Sequence, residues 1–212
     1  MNQNNNTFDN YAEEYDTWFD SNFWVYQSEL LAVKKLLPQN GKGVEIGVGT
    51  GRFSVPFGIT FGVEPSKAMA EIARSRGITV FDSKAEHMPF EDNAFDFVLI
   101  VTTICFLEDP LQALKEIRRI LRPVGKIIIG MLDKDSPSGK LYETKKNDSK
   151  FYRSARFYTV KQVLKWLKVS GYTHVKTLQT IFHNPETIIT IEPIREGYGE
   201  GLFVVVSADK SM

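Results

Sequence analysis

Two short stretches carry the residues best suited to chemistry. Val44-Glu45-Ile46-Gly47-Val48-Gly49-Thr50-Gly51-Arg52-Phe53 places three glycines at alternate positions behind an apolar run, and Gly62-Val63-Glu64-Pro65 sets a carboxylate and a proline behind another. Glycines at that spacing remove the side chains that would hold a ligand off the backbone, and they permit the positive φ values of a tight strand-to-helix turn. Free N–H groups at the start of the following element then face whatever sits there. An acid at the tip of the next strand suits the two hydroxyls of a ribose. The chemistry implied is capture of a nucleoside-bearing cofactor.

The elements that must position these residues can be read from pattern and punctuation. Strands are expected at residues 43–46, 59–63, 78–81, 95–101, 126–131, 174–182 and 202–207. The stretch 95–101 is almost wholly apolar, as a central strand buried on both faces requires. Pro56 and Gly58 leave little room for a full helix after the glycines. Ser66 can cap a helix with Met69, Ile72 and Ala73 on one face, ended by Gly77. Asp109-Pro110 is an N-cap and N1 pair opening a helix with Leu111, Leu114, Ile117 and Leu121 on one side. Thr159 and Gln162 form a capping box, with Tyr158 and Val163 placed for a hydrophobic staple. Strands alternating with helices at this spacing imply parallel βαβ units and an α/β fold.

Outside this frame, residues 1–7 are polar and expected to be disordered, and residues 8–26 are dense in aromatics. Ser28 is expected to cap a helix through Leu30, Leu31, Val33 and Leu37, so that residues 8–37 form a helical cap on the larger body. Residues 133–150 are polar and lysine-rich, the pattern of a surface excursion, and the Lys145, Lys146 and Lys150 cluster reads as a solvated face.

Composition bounds the function. The 212 residues carry 26 basic and 26 acidic side chains, so no broad electrostatic footprint for nucleic acid is expected. One cysteine, Cys105, and three histidines offer neither a disulfide framework nor a ligand-spaced metal cluster. No apolar run reaches the roughly 18 residues of a membrane span, and the N-terminus lacks the basic and apolar regions of a signal peptide. A cytoplasmic protein with no nucleic-acid or membrane partner is the expectation. A nicotinamide site is disfavoured: the third glycine of a dinucleotide fingerprint would fall at Arg52. The acid also follows Gly51 sooner than the spacing of about 20 residues in that motif. Arg52 is better placed to pair with a surface acid.

The ordered motifs resemble those of the class I S-adenosylmethionine-dependent methyltransferases, in particular the small-molecule, methyltransferase type 11-like group. Val44 to Gly51 looks like the first motif of that family, Gly62 to Ser66 like its second, and Ala85-Glu86-His87-Met88-Pro89-Phe90 followed by Asn93-Ala94-Phe95-Asp96 like its AE-LPF and FD stretch. Leu114 to Gly125 resembles the helix before the fifth strand. The resemblance runs from about Tyr11 to the last strand. It implies a Rossmann-like doubly wound, mostly parallel seven-stranded sheet with an antiparallel last strand and helices on both faces. One methyltransferase domain would span residues 8–212, with 133–158 as a surface, substrate-side insertion.

The same resemblance implies S-adenosyl-L-methionine as cofactor and assigns roles by position. Gly47, Gly49 and Gly51 would line its methionine part, and Glu45 would lie near its ammonium. Glu64 would accept from both ribose hydroxyls, Pro65 would cover a face of the adenine, and Lys84 and Ala85 would approach the adenine edge. Val101 and Thr102 would lie near the methionine or the departing methyl. Many members have an acid where this chain has Lys84, and an ammonium cannot accept a hydrogen bond; adenine recognition then falls to backbone groups, Glu86 or Asp82. No catalytic dyad and no metal site stand out. Displacement from a sulfonium asks for alignment more than for acids and bases. The expected partner is a small-molecule methyl acceptor, seated between the aromatic cap and residues 151–158. An amine is one candidate, because aromatic faces attract cations. A protein that binds the cofactor without turnover, as sensor or scaffold, is the alternative.

Overall fold

The apolar run at residues 95–101 forms β4 (Phe95–Val101), and its alternation sorts the molecule into layers. Successive side chains of a strand point to opposite faces. Val98 and Ile100 join one core with Val44, Ile46, Ile127, Ile129, Val204 and Val206. Phe97, Leu99 and Val101 join the other with Ile128, Phe203 and Val205.

The computed structural model describes residues 3–211. Around β4 are β1 (Gly43–Ile46), β2 (Phe61–Val63), β3 (Thr79–Phe81), β5 (Leu121–Leu132), β6 (Tyr172–Thr180), β7 (Arg195–Glu196) and β8 (Phe203–Lys210). They form one eight-stranded sheet in the order β3-β2-β1-β4-β5-β8-β6-β7. The pairs β3-β2, β2-β1, β1-β4 and β4-β5 are parallel. Strand β8 runs antiparallel to both β5 and β6, and β7 antiparallel to β6. The expected seven strands and the reversed last strand are thus present. The addition is β7, a two-residue edge too short for periodicity to reveal.

The helices are α1 (Gln3–Asn10), α2 (Ala12–Ser21), α3 (Phe23–Leu36), α4 (Lys67–Ser75), α5 (Pro110–Ile120), α6 (Pro137–Lys145) and α7 (Val160–Val169). Helices α5 and α7 cover the Val98 face through Leu114, Ile117, Val163 and Leu167, all buried. Helix α3 covers the other through Val25, Ala32 and Val33. Three helix starts follow their sequence signals. Ser66 Oγ accepts from Met69 N at 3.3 Å, the Asp109 carboxylate accepts from Gln112 N at 3.0 Å, and Thr159 and Gln162 close their box reciprocally. Among the described residues, no helix is long and apolar enough to cross a membrane.

Three expectations are corrected. Ser28 caps nothing: α3 starts at Phe23, and Ser28 lies buried inside it, donating to Trp24 O at 2.7 Å and accepting from Glu192 N at 2.9 Å. A serine satisfied by the carbonyl one turn back sits in a helix interior, where local pattern cannot tell it from a cap. Of residues 1–7, residues 1 and 2 lie outside the described residues, and from Gln3 the chain is helical. Helix α1 is held because Asp9 accepts from Ser66 Oγ at 2.7 Å and Ala68 N at 3.2 Å. The polar stretch from Asp133 is no simple excursion. Asp133 is fully buried and accepts from Asp135 N and Val160 N, which fastens α6 to the start of α7. Between the glycines and β2 there is only a single 3-10 turn, Val55–Phe57, as Pro56 and Gly58 demand.

Core burial should dominate over capping in holding α5. By urea unfolding, Ile117→Ala should cost about 2–5 kcal/mol and Asp109→Ala about 1 kcal/mol. The reverse order would contradict this account of the helix.

Candidate active site

Strands β1, β2 and β4 end together at the carboxyl edge of the sheet, and their ends are tied to one another. Gly47 N and Val48 N both donate to Val63 O, at 2.8 and 3.0 Å. One Glu64 carboxylate oxygen accepts from Gly49 N at 2.9 Å and the other from Ser66 N at 2.9 Å. The chain can turn this sharply because Gly47 and Gly49 lie at φ 69° and 54°. A Cβ on Gly47 would stand 2.3 Å from the Thr103 side chain, so the glycine turn presses directly on the end of β4.

Beside these ends opens a pocket enclosing, with its mouth, about 850 Å³. Seven of the ten residues singled out from the sequence line it: Gly47, Gly49, Glu64, Pro65, Lys84, Ala85 and Thr102. Glu45, Gly51 and Val101 stand behind the lining. Glu45 is buried in β1 and accepts from Ser54 Oγ at 2.5 Å. A Cβ on Gly51 would meet Ile78 Cδ1 at 2.5 Å, so this glycine lets the turn pack against the following βα unit. Val101 belongs to the core beneath the pocket floor. Sequence position alone could not separate them from their neighbours, because alternate residues of a strand face opposite sides.

The pocket is poised electrostatically by burial. Desolvation pushes the Glu64 carboxyl up to about 7, against the pull of its two amide donors and with Asp9 and Asp82 adding repulsion. Desolvation likewise pushes Glu45 up to about 8, the Ser54 hydrogen bonds opposing it. Thr102, just past the end of β4, lines the pocket and holds the left-handed φ of 48°, a strained conformation for a β-branched residue.

At the opposite end Lys84 pairs with Glu108 at 2.9 Å, and both line the pocket. Glu86 is committed elsewhere: one of its oxygens accepts from Glu108 N at 3.0 Å and Asp109 N at 3.1 Å, fixing the loop that enters α5. The sequence reading missed Glu108, which reaches this end only through the fold.

The remaining wall is aromatic. Phe8, Tyr15 and Phe106 line the pocket; the sequence reading placed Phe8 and Tyr15 in an aromatic-rich segment without a role and did not single out Phe106. The cap carrying Tyr15 is bolted down by Arg52. Arg52 bonds Asp16 and Asp20 at 2.7 Å each, while Arg76 at the end of α4 bonds the same Asp16 at 2.7 Å and Thr50 O at 2.7 Å. Burial alone would raise the Asp16 carboxyl, but the Arg76 and Arg52 guanidiniums outweigh it and hold it well below the usual carboxylate range.

A parallel sheet with a reversed strand beside its fifth member, and a glycine-and-glutamate pocket at its carboxyl edge, define an α/β protein of the nucleoside-binding class. Residues 44–129 match the family model described as a methyltransferase domain. The chain is 51% identical over 205 residues to an uncharacterized protein of Methanocaldococcus jannaschii, covering 97% of this chain and 99% of that one. It is 49% identical to the crystal structure of a Thermotoga maritima protein described as a SAM-dependent methyltransferase, possible histamine N-methyltransferase. That match has a TM-score of 0.94 and covers 97% and 99% of the two chains. A match of 28% identity over 138 residues, 57% of this chain and 56% of the other, links it to a demethylmenaquinone methyltransferase of Staphylococcus aureus. The chain belongs to the class I S-adenosylmethionine-dependent methyltransferases of the type 11 group.

The pocket fits that cofactor. Gly49 offers an open face, since a Cβ built on it would find only Tyr15, at 3.8 Å. Glu64 offers acceptor oxygens at the end of β2, where a ribose diol needs them. Bound there, S-adenosylmethionine would supply a methyl group on a sulfonium. The residues proposed to hold it are Gly47, Gly49, Glu64, Pro65, Lys84, Ala85 and Thr102, with Glu45, Gly51 and Val101 supporting them from behind.

Ionisation of Glu64 sets the expected pH dependence. A carboxyl that titrates near 7 must lose its proton before it can accept from two hydroxyls, so binding weakens as pH falls below that value. Affinity for S-adenosylhomocysteine should rise about tenfold from pH 6 to pH 8 in calorimetric titrations. In Glu64→Gln it should be weak and flat. A flat profile in the parent would contradict the role given to this group.

Proposed function

We propose that the protein transfers a methyl group from S-adenosylmethionine to a small-molecule acceptor, within one domain spanning residues 8–212. Residues 8–37 serve as a cap and residues 133–158 as the substrate-side insertion. The observation that carries this reading is the closure of cap and insertion over the strand ends. Phe151 stacks on Phe8 with ring centroids 5.9 Å apart and meets Tyr15 edge-on at 5.4 Å, while Tyr152 stacks on Phe106 at 6.2 Å. Lys150, expected on a solvated face, pairs there with Glu14 at 2.6 Å and lies 4.1 Å over the Tyr11 ring. An acceptor that reaches the carboxyl edge of the sheet must fit beneath these contacts, and a compact molecule fits where a folded macromolecule does not.

The chain's own part in the reaction is positioning and desolvation. The glycine turn and Glu64 fix one reactant, and the aromatic wall of Phe8, Tyr15 and Phe106 excludes water from the other. Alignment of this kind supplies much of the roughly 7–11 kcal/mol that proximity can contribute. A side-chain base is needed only for an acceptor that cannot lose its proton to water.

The test is incubation with methyl-labelled S-adenosylmethionine and cell extract, followed by dialysis. Label should appear in a dialysable product that chromatography separates from unreacted S-adenosylmethionine. Label confined to protein or nucleic acid would overturn the small-molecule assignment.

A further inference from the structure

Resting on the small-molecule reading above, we infer that Glu29 anchors a cationic amine of the acceptor, in a subsite it shares with the hydroxyls of Tyr15, Tyr142 and Tyr152.

Six carboxylate side chains are buried among the described residues: Glu29, Glu45, Glu64, Glu86, Asp133 and Glu192. Five have donors. Glu45 accepts from Ser54, Glu64 and Glu86 from two amides each, and Asp133 from two amides. Glu192 accepts from Phe182 N at 2.9 Å and faces His183 Nδ1 at 3.0 Å. Glu29 is 6% exposed, on the buried face of α3 beside Val25, Ala32 and Val33, and among the described residues it has neither hydrogen bond nor ion pair. A carboxyl removed from water without a donor is costly, and native interiors rarely carry one without a reason.

Its surroundings say what would satisfy it. Tyr15 on α2, Tyr142 on α6 and Tyr152 just beyond come from three separate places to pack against the same core cluster as Val25, Ala32 and Val33 of α3, and the Glu29 charge acts on all three hydroxyls. Tyr142 and Tyr152 are in ring contact at 6.1 Å, and Tyr152 stacks on Phe106, which with Tyr15 lines the cofactor pocket. The group therefore lies where cap, insertion and sheet meet, next to the reacting edge. Among the described residues no cation pairs with it: Arg52 and Arg76 are taken by Asp16, and Lys150 by Glu14. Burial pushes Glu29 up to about 8. A neutral amine takes the proton of this carboxyl, and an ammonium displaces that proton to solvent; either way the result is the same ion pair, walled by aromatic faces that favour a cation. An anionic acceptor would face the carboxyl with no basic group to offset it.

The experiment titrates the S-adenosylhomocysteine-saturated protein by calorimetry with propylamine, 2-phenylethylamine and putrescine. Each amine is paired with its hydroxyl counterpart: propanol, 2-phenylethanol and butanediol. At least one amine should bind, at least about tenfold tighter than its alcohol. Glu29→Gln should lose that advantage while binding S-adenosylhomocysteine like the parent. Glu29→Met makes the same comparison should the glutamine variant fail to fold. Since Glu29 has no partner to lose among the described residues, the free variant should melt no lower than the parent. Absence of amine binding, equal binding of the alcohols, or undiminished amine binding by the variant would overturn the assignment. Failure of the underlying reading would show differently, as label found only in macromolecules whatever the state of Glu29.

Discussion

The Glu64 carboxylate is held by the turn it organises. One oxygen takes the amide of Gly49, at the end of β1, and the other takes the amide of Ser66, at the start of α4. This closes a ring of backbone and side chain across two strand ends whose main chains are already joined through Val63 O. Remove the carboxylate and two amides lose their acceptor at the place where the glycines leave the backbone bare. The same geometry leaves acceptor capacity free, because a carboxylate has room for about four donors. Structural closure and the proposed ligand recognition thus share one side chain, and the strand-end turn depends on it.

A second constraint carries that geometry outward. Asp16 sits between Arg52, inside the glycine turn, and Arg76, at the end of α4. A partly buried charge network of this kind gives position more than net stability. Its effect is to place α2, and with it Tyr15, over the strand ends. Tyr26 adds to the fastening by donating to Arg52 O. From there the aromatic contacts with Phe151 and Tyr152 draw the insertion into the same wall. The path from a sequence-local turn to a closed chamber therefore runs through a few specific charges.

What could be read in the sequence was what local chemistry decides. The glycine turn, the truncated segment at Pro56 and Gly58, the Asp109 and Thr159 caps and the doubly buried β4 all follow from rules acting over a few residues. Features that depend on distant chain were not readable in this way. Ser28 looked like a cap because its partner Glu192 lies far along the chain. Glu108 was invisible beside Lys84 because 24 residues separate them. Glu45 and Val101 sat next to true lining residues and differ only in which face they present, and Gly51 turned out to serve packing against Ile78. The partners of Lys150 were hidden because Glu14 and Tyr11 belong to the other end of the chain. The aromatic segment was seen as a cap, yet only the fold shows that its Phe8 and Tyr15, joined by Phe106 from beyond β4, form pocket wall.

The central claim is that the Glu64 turn holds S-adenosylmethionine, and thermal unfolding with added nucleosides tests it most directly. At about a hundredfold excess over its dissociation constant, S-adenosylhomocysteine should stabilise the parent by about 2.7 kcal/mol, and NAD should not. Glu64→Ala should lose most of that stabilisation while remaining folded. If the alanine variant is stabilised as much as the parent, the cofactor is held elsewhere and the account of this pocket is wrong.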